Sequence, residues 1–361
     1  MEKARLVYVL HDIQVGGVEV ALISAIPTLY RNFDLNVIVL GKIDNRMVAN
    51  LSDEQKSCFK TFNYPLITYP ATLPGIAYYI VRLRPKILVS SLWRASLLGV
   101  MVKKSLPGLT FISFVHSTTF FHKLDKLFTK AALRNADHVF TDSTATSQFV
   151  QKELHGSTDV TVISFFIQKS PDEKVNAPHT GDVRFMFLGR MNKVKNLTLT
   201  VDTIMKLRSR GLNVSLDLYG PDDGMLKNLQ QYIEQNQLGP IIKYKGEVNA
   251  DQKAAAFNEH HFLIQLSSHE GMAMSVAEAM QRGLVCFTTP VGEIKNYADD
   301  MRTAVFANIW EDAEWEKSID KIADVVADPA KYEQISTNCF RQFQNVETYS
   351  TSLSNAISTH V

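Results

Sequence analysis

At 361 residues, 45% of them hydrophobic, the chain is long and apolar enough to fill two cores, since one domain takes about 100 to 200 residues. A formal net charge of +1 excludes a protein that neutralises a run of nucleic-acid phosphates. The charge is uneven, however: residues 1–170 hold 19 Lys and Arg against 12 Asp and Glu, a net +7, and the remainder nets −6. A basic first half suits an anionic membrane surface or a phosphorylated acceptor, and it equally suits the solvated helix faces on which scattered Lys and Arg are commonly found.

Short β-branched runs alternate with stretches of helical spacing. Strands are predicted at residues 6–10, 35–40, 87–90, 111–115, 138–141 and 160–163. Residues 168–182 are polar and aperiodic and contain Pro171 and Pro178, which reads as a linker. The pattern then restarts, with strands predicted at 183–188, 214–219, 241–245, 262–266 and 285–288. Alternation of this kind implies two parallel-sheet α/β domains, at 1–167 and 183–344. Cys58, Cys286 and Cys339 have no short spacing, so neither a disulfide framework nor a zinc site is suggested and a reducing compartment fits. The first apolar run ends at Leu10, too short for a signal-peptide core, and no stretch reaches the roughly 20 apolar residues of a membrane span. A soluble or peripheral cytoplasmic protein is expected.

Ligands of open parallel sheets sit beyond the carboxyl ends of the strands, so the loops there carry the chemistry. After the first strand comes His11-Asp12, then Gly16-Gly17-Val18-Glu19 at the start of a helix. Paired glycines let a backbone approach a ligand, although such turns also hold glycine for geometry alone. The second domain opens with Gly189-Arg190, and Lys195-Asn196 follow; two cations at a helix start suit a diphosphate, and a solvated basic loop reads the same way. The richest segment is 267–280. It places Glu270 in a loop and Glu278 in an apolar helix, with the backbone N–H groups of Met274 and Ser275 at the helix start offered to a phosphate. A carboxylate buried without a partner is costly, which makes a ligand hydroxyl the expected partner of Glu278. His260, His261 and His269 lack metal-site spacing and are assigned to the surface. Tyr78-Tyr79 and Phe120-Phe121 are assigned to a core or a cleft lining.

Taken in order, Gly16-Gly17-Val18-Glu19, Gly189-Arg190 with Lys195-Asn196, and Glu270-Gly271 with Glu278-Ala279-Met280 resemble the retaining GT-B glycosyltransferases of family 4, over nearly the whole chain. The resemblance implies an α/β GT-B fold: two Rossmann-like domains facing across a cleft, with a C-terminal helix at 345–361 crossing back to the first. It implies transfer of a sugar from a nucleotide diphosphate sugar to a glycan or lipid-linked acceptor in bacterial surface-polysaccharide synthesis, with neither metal nor cofactor beyond the nucleotide-sugar co-substrate. By position, Arg190 and Lys195 would bind the diphosphate, Glu270 the sugar hydroxyls and Glu278 the ribose. His116 would lie near the transferred sugar. Gly16, Gly17, Gly189, Gly220, Gly246, Gly271, Met274 and Ser275 would complete the donor site. Met272-Ala273 stand where many relatives have an aromatic and a glycine, and Ser164-Phe165-Phe166 where an Asn-Gly is usual. A nucleotide-sugar epimerase of the same fold and a non-catalytic sugar-binding or scaffold protein are the rival readings. A dehydrogenase is disfavoured, because neither half carries the three-glycine fingerprint followed by an acidic ribose ligand.

Overall fold

The computed structural model describes residues 3–14, 16–154, 159–174 and 181–360. Val15 of the first loop and residues 175–180 of the predicted linker, Pro178 among them, lie outside the described residues. The chain divides into two compact units, Met1–Gln168 with Glu347–Val361, and Lys169–Val346.

The first unit runs β1 (Arg5–Leu10), α1 (Gly17–Asn32), β2 (Asp34–Val39), α2 (Asp53–Ser57), β3 (Phe59–Thr61), α3 (Tyr69–Leu83), β4 (Ile87–Ser91), α4 (Trp93–Ser105), β5 (Thr110–Val115), α5 (Lys123–Asn135), β6 (His138–Thr141), α6 (Thr144–Leu154) and β7 (Val160–Val162). Its seven strands pair in parallel in the order β3-β2-β1-β4-β5-β6-β7. The central strands are apolar at consecutive positions because helices cover both faces of the sheet; Leu6 to Leu10 and Ile87 to Val89 are all buried. One face packs α1 through Leu22, Ala25, Ile26 and Leu29, at helical spacing. The other face buries Leu73, Ile76 and Ile80 of α3, Leu98 and Val102 of α4, and Ala132 of α5.

The second unit runs β8 (Val183–Leu188), α7 (Leu197–Ser209), β9 (Val214–Tyr219), α8 (Leu226–Gln235), β10 (Ile242–Gly246), α9 (Ala250–Glu259), β11 (Phe262–Gln265), α10 (Met274–Met280), β12 (Val285–Thr288), α11 (Ile294–Tyr297), β13 (Val305–Phe306), α12 (Asp312–Ala327) and α13 (Pro329–Gln342). Its parallel order is β10-β9-β8-β11-β12-β13. The chain then returns to the first unit as α14 (Tyr349–Ser358), capped by the Thr348 hydroxyl, whose Leu353 and Ile357 enter the core that α1 covers.

Both sheets reverse their winding beside the first strand, between β1 and β4 and between β8 and β11. That switch point is where open α/β sheets bind ligands. The fold is α/β with two Rossmann-like domains. Two strands have no counterpart in the sequence reading: β3, a short edge strand whose Lys60 and Thr61 are exposed, and the two-residue β13. Neither is long enough to show a period. Among the described residues no helix is long and apolar enough to cross a membrane.

Candidate functional site

In the second unit the carboxyl rim begins with three strand-terminal glycines joined through their backbones. The Gly189 N–H donates to the Tyr219 carbonyl at 3.0 Å, and the Gly220 N–H donates to the Gly246 carbonyl at 2.9 Å. Gly220 has φ +128°, and a Cβ there would overlap the Gly189 carbonyl oxygen, so this position admits only glycine. Gly246, with φ +81°, has no atom within 4 Å of the place a Cβ would take. Arg190 is exposed at the start of the next loop.

That loop is laced to the one after β11. The Asn196 amide donates to the Leu266 carbonyl (2.9 Å) and the Ser268 N–H to the Val194 carbonyl (2.9 Å). The lacing brings together Lys195 and Glu270, which are 75 residues apart, with Nζ 2.5 Å from Oε1. The pair is largely withdrawn from solvent, with side chains 16% and 11% exposed. Gln265 Nε2 (2.7 Å) and Ser267 Oγ (2.5 Å) donate to the same oxygen. Oε1 is therefore saturated by three donors, while among the described residues no protein donor is directed at Oε2. Gln265 is fully buried, and its other end accepts from Ser275 Oγ at 2.7 Å, so one amide links the start of α10 to the Glu270 carboxylate. Behind this loop, the Glu293 N–H donates to the Gly271 carbonyl at 2.9 Å, and Gly292 (φ +59°) passes so close that a Cβ would overlap the Glu270 carbonyl oxygen. Gly271 itself is exposed with open space beside it. Met274 and Ser275, half-buried, are the first residues of α10; the next N–H, that of Val276, already donates to the Ala273 carbonyl at 3.0 Å.

Several expectations need correction. Glu278 is not a partnerless carboxylate: Lys253 of α9 donates to its Oε1 at 2.7 Å. His260 is not at the surface. It is buried, bonded through Nδ1 to the Ala256 carbonyl (2.6 Å), with Nε2 3.4 Å from Asp217. Burial alone would raise the Asp217 pKa, but His260 and Lys245 beside the carboxylate hold it below its ordinary value. Tyr78 and Phe121 are exposed rather than packed in a core.

In the first unit the rim is built from side chains that satisfy one another. His116, directly after β5, has Nε2 2.8 Å from Ser91 Oγ and Nδ1 3.3 Å from Asp142 Oδ2, and its side chain is only 6% exposed. Ser91 is fully buried and Thr146 donates to the other Asp142 oxygen at 3.1 Å. This is a Ser-His-Asp series in geometry only, because a serine sealed from solvent reaches no substrate. Beside it, His11 Nε2 accepts the Arg94 N–H at 2.7 Å, in the first turn of α4. Burial, and next the charge of Arg94, push the His11 pKa down to about 3, so the ring is neutral and free to accept. Arg94 approaches Asp12 (3.8 Å) and lies over Trp93, whose ring meets His11 and His122 edge-on. Leu92, with φ +72°, holds the turn from β4 into α4 in a conformation rare for a branched residue. Gly16 is the N-cap of α1, and Gly17 has open space on its side-chain face. Ser91, Arg94, Asp142, Gln265, Ser267, Lys253 and Gly292 escaped the sequence reading, because each acts through a partner distant in sequence or through a backbone angle.

Residues 168–342 match the profile of the family Glycosyl transferases group 1. The second unit belongs to this family. The matched segment is the unit that holds the Lys195–Glu270 pair, and the chain is accordingly a glycosyltransferase of the retaining GT-B class. No curated protein sequence matches it significantly. Among solved structures it is similar to Anabaena HepE in complex with UDP, at 15% identity and TM-score 0.81 over 98% of this chain and 100% of that one. A glycosyltransferase from Rickettsia africae ESF-5 superposes with TM-score 0.78 at 12% identity, covering 100% and 98%. The lipopolysaccharide outer core galactosyltransferase WaaB does so with TM-score 0.71 at 15% identity, covering 99% and 100%. At such identities the group 1 enzyme shares a fold with these proteins, and its own residues must carry the chemistry. Among the described residues no three His, Cys, Asp or Glu side chains converge as a metal site would require.

Proposed function

We propose that this glycosyltransferase binds a nucleoside diphosphate sugar at the carboxyl rim of its second unit and transfers the sugar to a glycan or lipid-linked acceptor in bacterial surface-polysaccharide synthesis. The observation that carries the reading is the Lys195–Glu270 pair with its three-donor saturation of Oε1. Gln265, Ser267 and Lys195 fix the carboxylate, leaving Oε2 to accept from sugar hydroxyls. With Oε1 held by three donors and Oε2 given to sugar hydroxyls, Glu270 serves as a sugar ligand, and the family resemblance favours same-face attack over a covalent sugar–enzyme intermediate. In that step the bond from the anomeric carbon to the diphosphate oxygen breaks, the acceptor hydroxyl oxygen bonds to the same face of that carbon, and its proton passes to the departing phosphate. Charge develops on that phosphate, where Arg190, Lys195 and the first N–H groups of α10 supply fixed positive potential. Glu278 keeps one oxygen on Lys253 and offers the other to the ribose.

The donor to test first is UDP-glucose, because HepE has been solved with it. WaaB, a lipopolysaccharide galactosyltransferase by name, supports the surface-polysaccharide setting. The test is release of UDP from UDP-sugars by the purified protein. Glu270→Ala is expected to lower the rate about 100-fold, the scale of removing one preorganised polar group, with the thermal unfolding transition retained. An unchanged rate would remove Glu270 from the site. The rate is also expected to survive chelator, and a loss restored by magnesium or manganese would overturn the metal-independent mechanism.

A further inference from the structure

Two of the most exposed large apolar side chains of the protein stand at one rim of the first unit. Ile67 is 88% exposed and Phe121 is 77% exposed. Leu124 (47%) and Leu127 (60%) continue from Phe121 along α5 at intervals of three residues, which keeps them on one side of the helix. Isolated surface apolar residues need no explanation, but a row of three does.

These side chains are held in place. The Phe121 N–H donates to the buried Asp125 carboxylate (2.8 Å), the Asp125 N–H donates to His122 Nδ1 (3.1 Å), and Thr129 Oγ1 donates to the other Asp125 oxygen (2.9 Å). Ile67 sits in a single helical turn closed by Thr68, whose N–H and hydroxyl both donate to the Pro65 carbonyl. Helices α3, α4 and α5 share one face of the sheet, so the segments that precede α3 and α5 both reach the carboxyl rim, on either side of the start of α4 with Trp93 and Arg94. Exposed Lys123 and Lys126 interleave with the apolar row, in the half of the chain whose net charge is +7.

We infer that this rim, with Phe121, Leu124 and Leu127 on α5 and Ile67 before α3, docks the first unit onto an anionic lipid surface, with Lys123 and Lys126 on the headgroups. The inference rests on the reading that the acceptor is lipid-linked, and it gives that reading a location. Charge selects the occupant: apolar residues alone would suit a second copy of the chain, but a symmetric contact would set two lysine-bearing rims of this basic half against each other, whereas an anionic surface neutralises them.

The experiment is co-sedimentation of the full chain with vesicles of phosphatidylcholine containing about 30% phosphatidylglycerol, against phosphatidylcholine alone. Binding to the anionic vesicles is expected, weakening as salt rises. The triple variant Phe121→Ser, Leu124→Ser, Leu127→Ser and, separately, Lys123→Glu with Lys126→Glu are each expected to lower the partition coefficient more than about tenfold. Both should keep the wild-type unfolding temperature and the wild-type rate of UDP release in solution, since none of these residues belongs to the donor site. Absence of vesicle binding, equal binding to both vesicle types, a triple variant that binds like wild type, or a dimer in light scattering that the triple variant abolishes would each overturn the docking surface. Failure of the donor reading shows up differently, as absent UDP release with vesicle binding intact.

Discussion

The two units share a topology and a switch point, yet their carboxyl rims are made of different material. The rim of the second unit is largely backbone: glycines at three strand ends, a helix start, and a loop around one anchored carboxylate. The rim of the first unit is a packed set of His11, Ser91, Trp93, Arg94, His116 and Asp142, whose polar atoms are mostly engaged with one another. A backbone rim presents N–H groups and an open carboxylate oxygen to a ligand. A side-chain rim, once satisfied internally, is a rigid wall whose participation in chemistry requires a bond to be exchanged.

The sharpest way to break this contrast is with glycine. Gly220→Ala puts a Cβ onto the Gly189 carbonyl oxygen at a φ of +128°, and should cost more than about 3 kcal/mol, seen as a large fall in unfolding temperature. Gly17→Ala, at a helix start with open space around it, should leave stability unchanged or raise it by about 0.4–1 kcal/mol. Equal costs would mean that the backbone of the second rim is no more constrained than that of the first.

The next effect belongs to the side-chain rim and is read by pH. His11 has a pKa of about 3 in the folded chain against 6.5 for the free side chain. Above pH 6.5 neither the folded nor the unfolded state is protonated there and the contribution is constant. Below it the unfolded chain takes up a proton that the folded one refuses, so stability falls by about 1.4 kcal/mol per pH unit until the folded pKa is reached. Urea unfolding at pH about 7.5 and about 5 should show this loss, and His11→Gln, which keeps an acceptor for the Arg94 N–H, should reduce it. A pH slope unchanged by His11→Gln would assign the loss to other groups.

The same contrast explains what the sequence made legible. Strand positions of both sheets could be read because buried parallel strands are continuous apolar runs, and the Gly189, Glu270 and Glu278 motifs could be read because each lies in one loop or helix directly after such a run. The Lys253 partner of Glu278 could not be read, since it comes from α9, 25 residues earlier, and the argument for an unpaired carboxylate failed with it. His260 was assigned to the surface because it and His261 lack metal-site spacing, while only the fold shows Asp217 beside it. On the first rim almost nothing was legible beyond His116 and the paired glycines: Ser91 and Asp142 meet His116 from positions 25 and 26 residues away, with no motif between them.

The smallest effect concerns that histidine. Both ring nitrogens of His116 are engaged within the unit, so a direct role in transfer requires Nε2 to leave Ser91. Ser91→Ala removes the competing hydroxyl and should cost about 1 kcal/mol of stability, the net worth of one hydrogen bond. If Nε2 turns to substrate during turnover, the same substitution holds or raises kcat, because the exchange no longer has to break a bond, while His116→Ala lowers it. Asp142→Asn then provides the control: an amide can also donate to Nδ1, so the ring tautomer is no longer fixed and the pH profile of kcat should shift with KM for the donor unchanged. If Ser91→Ala and His116→Ala lower stability alike and leave kcat alone, His116 is a brace between β4, β5 and β6, and the chemistry belongs to the backbone rim of the second unit.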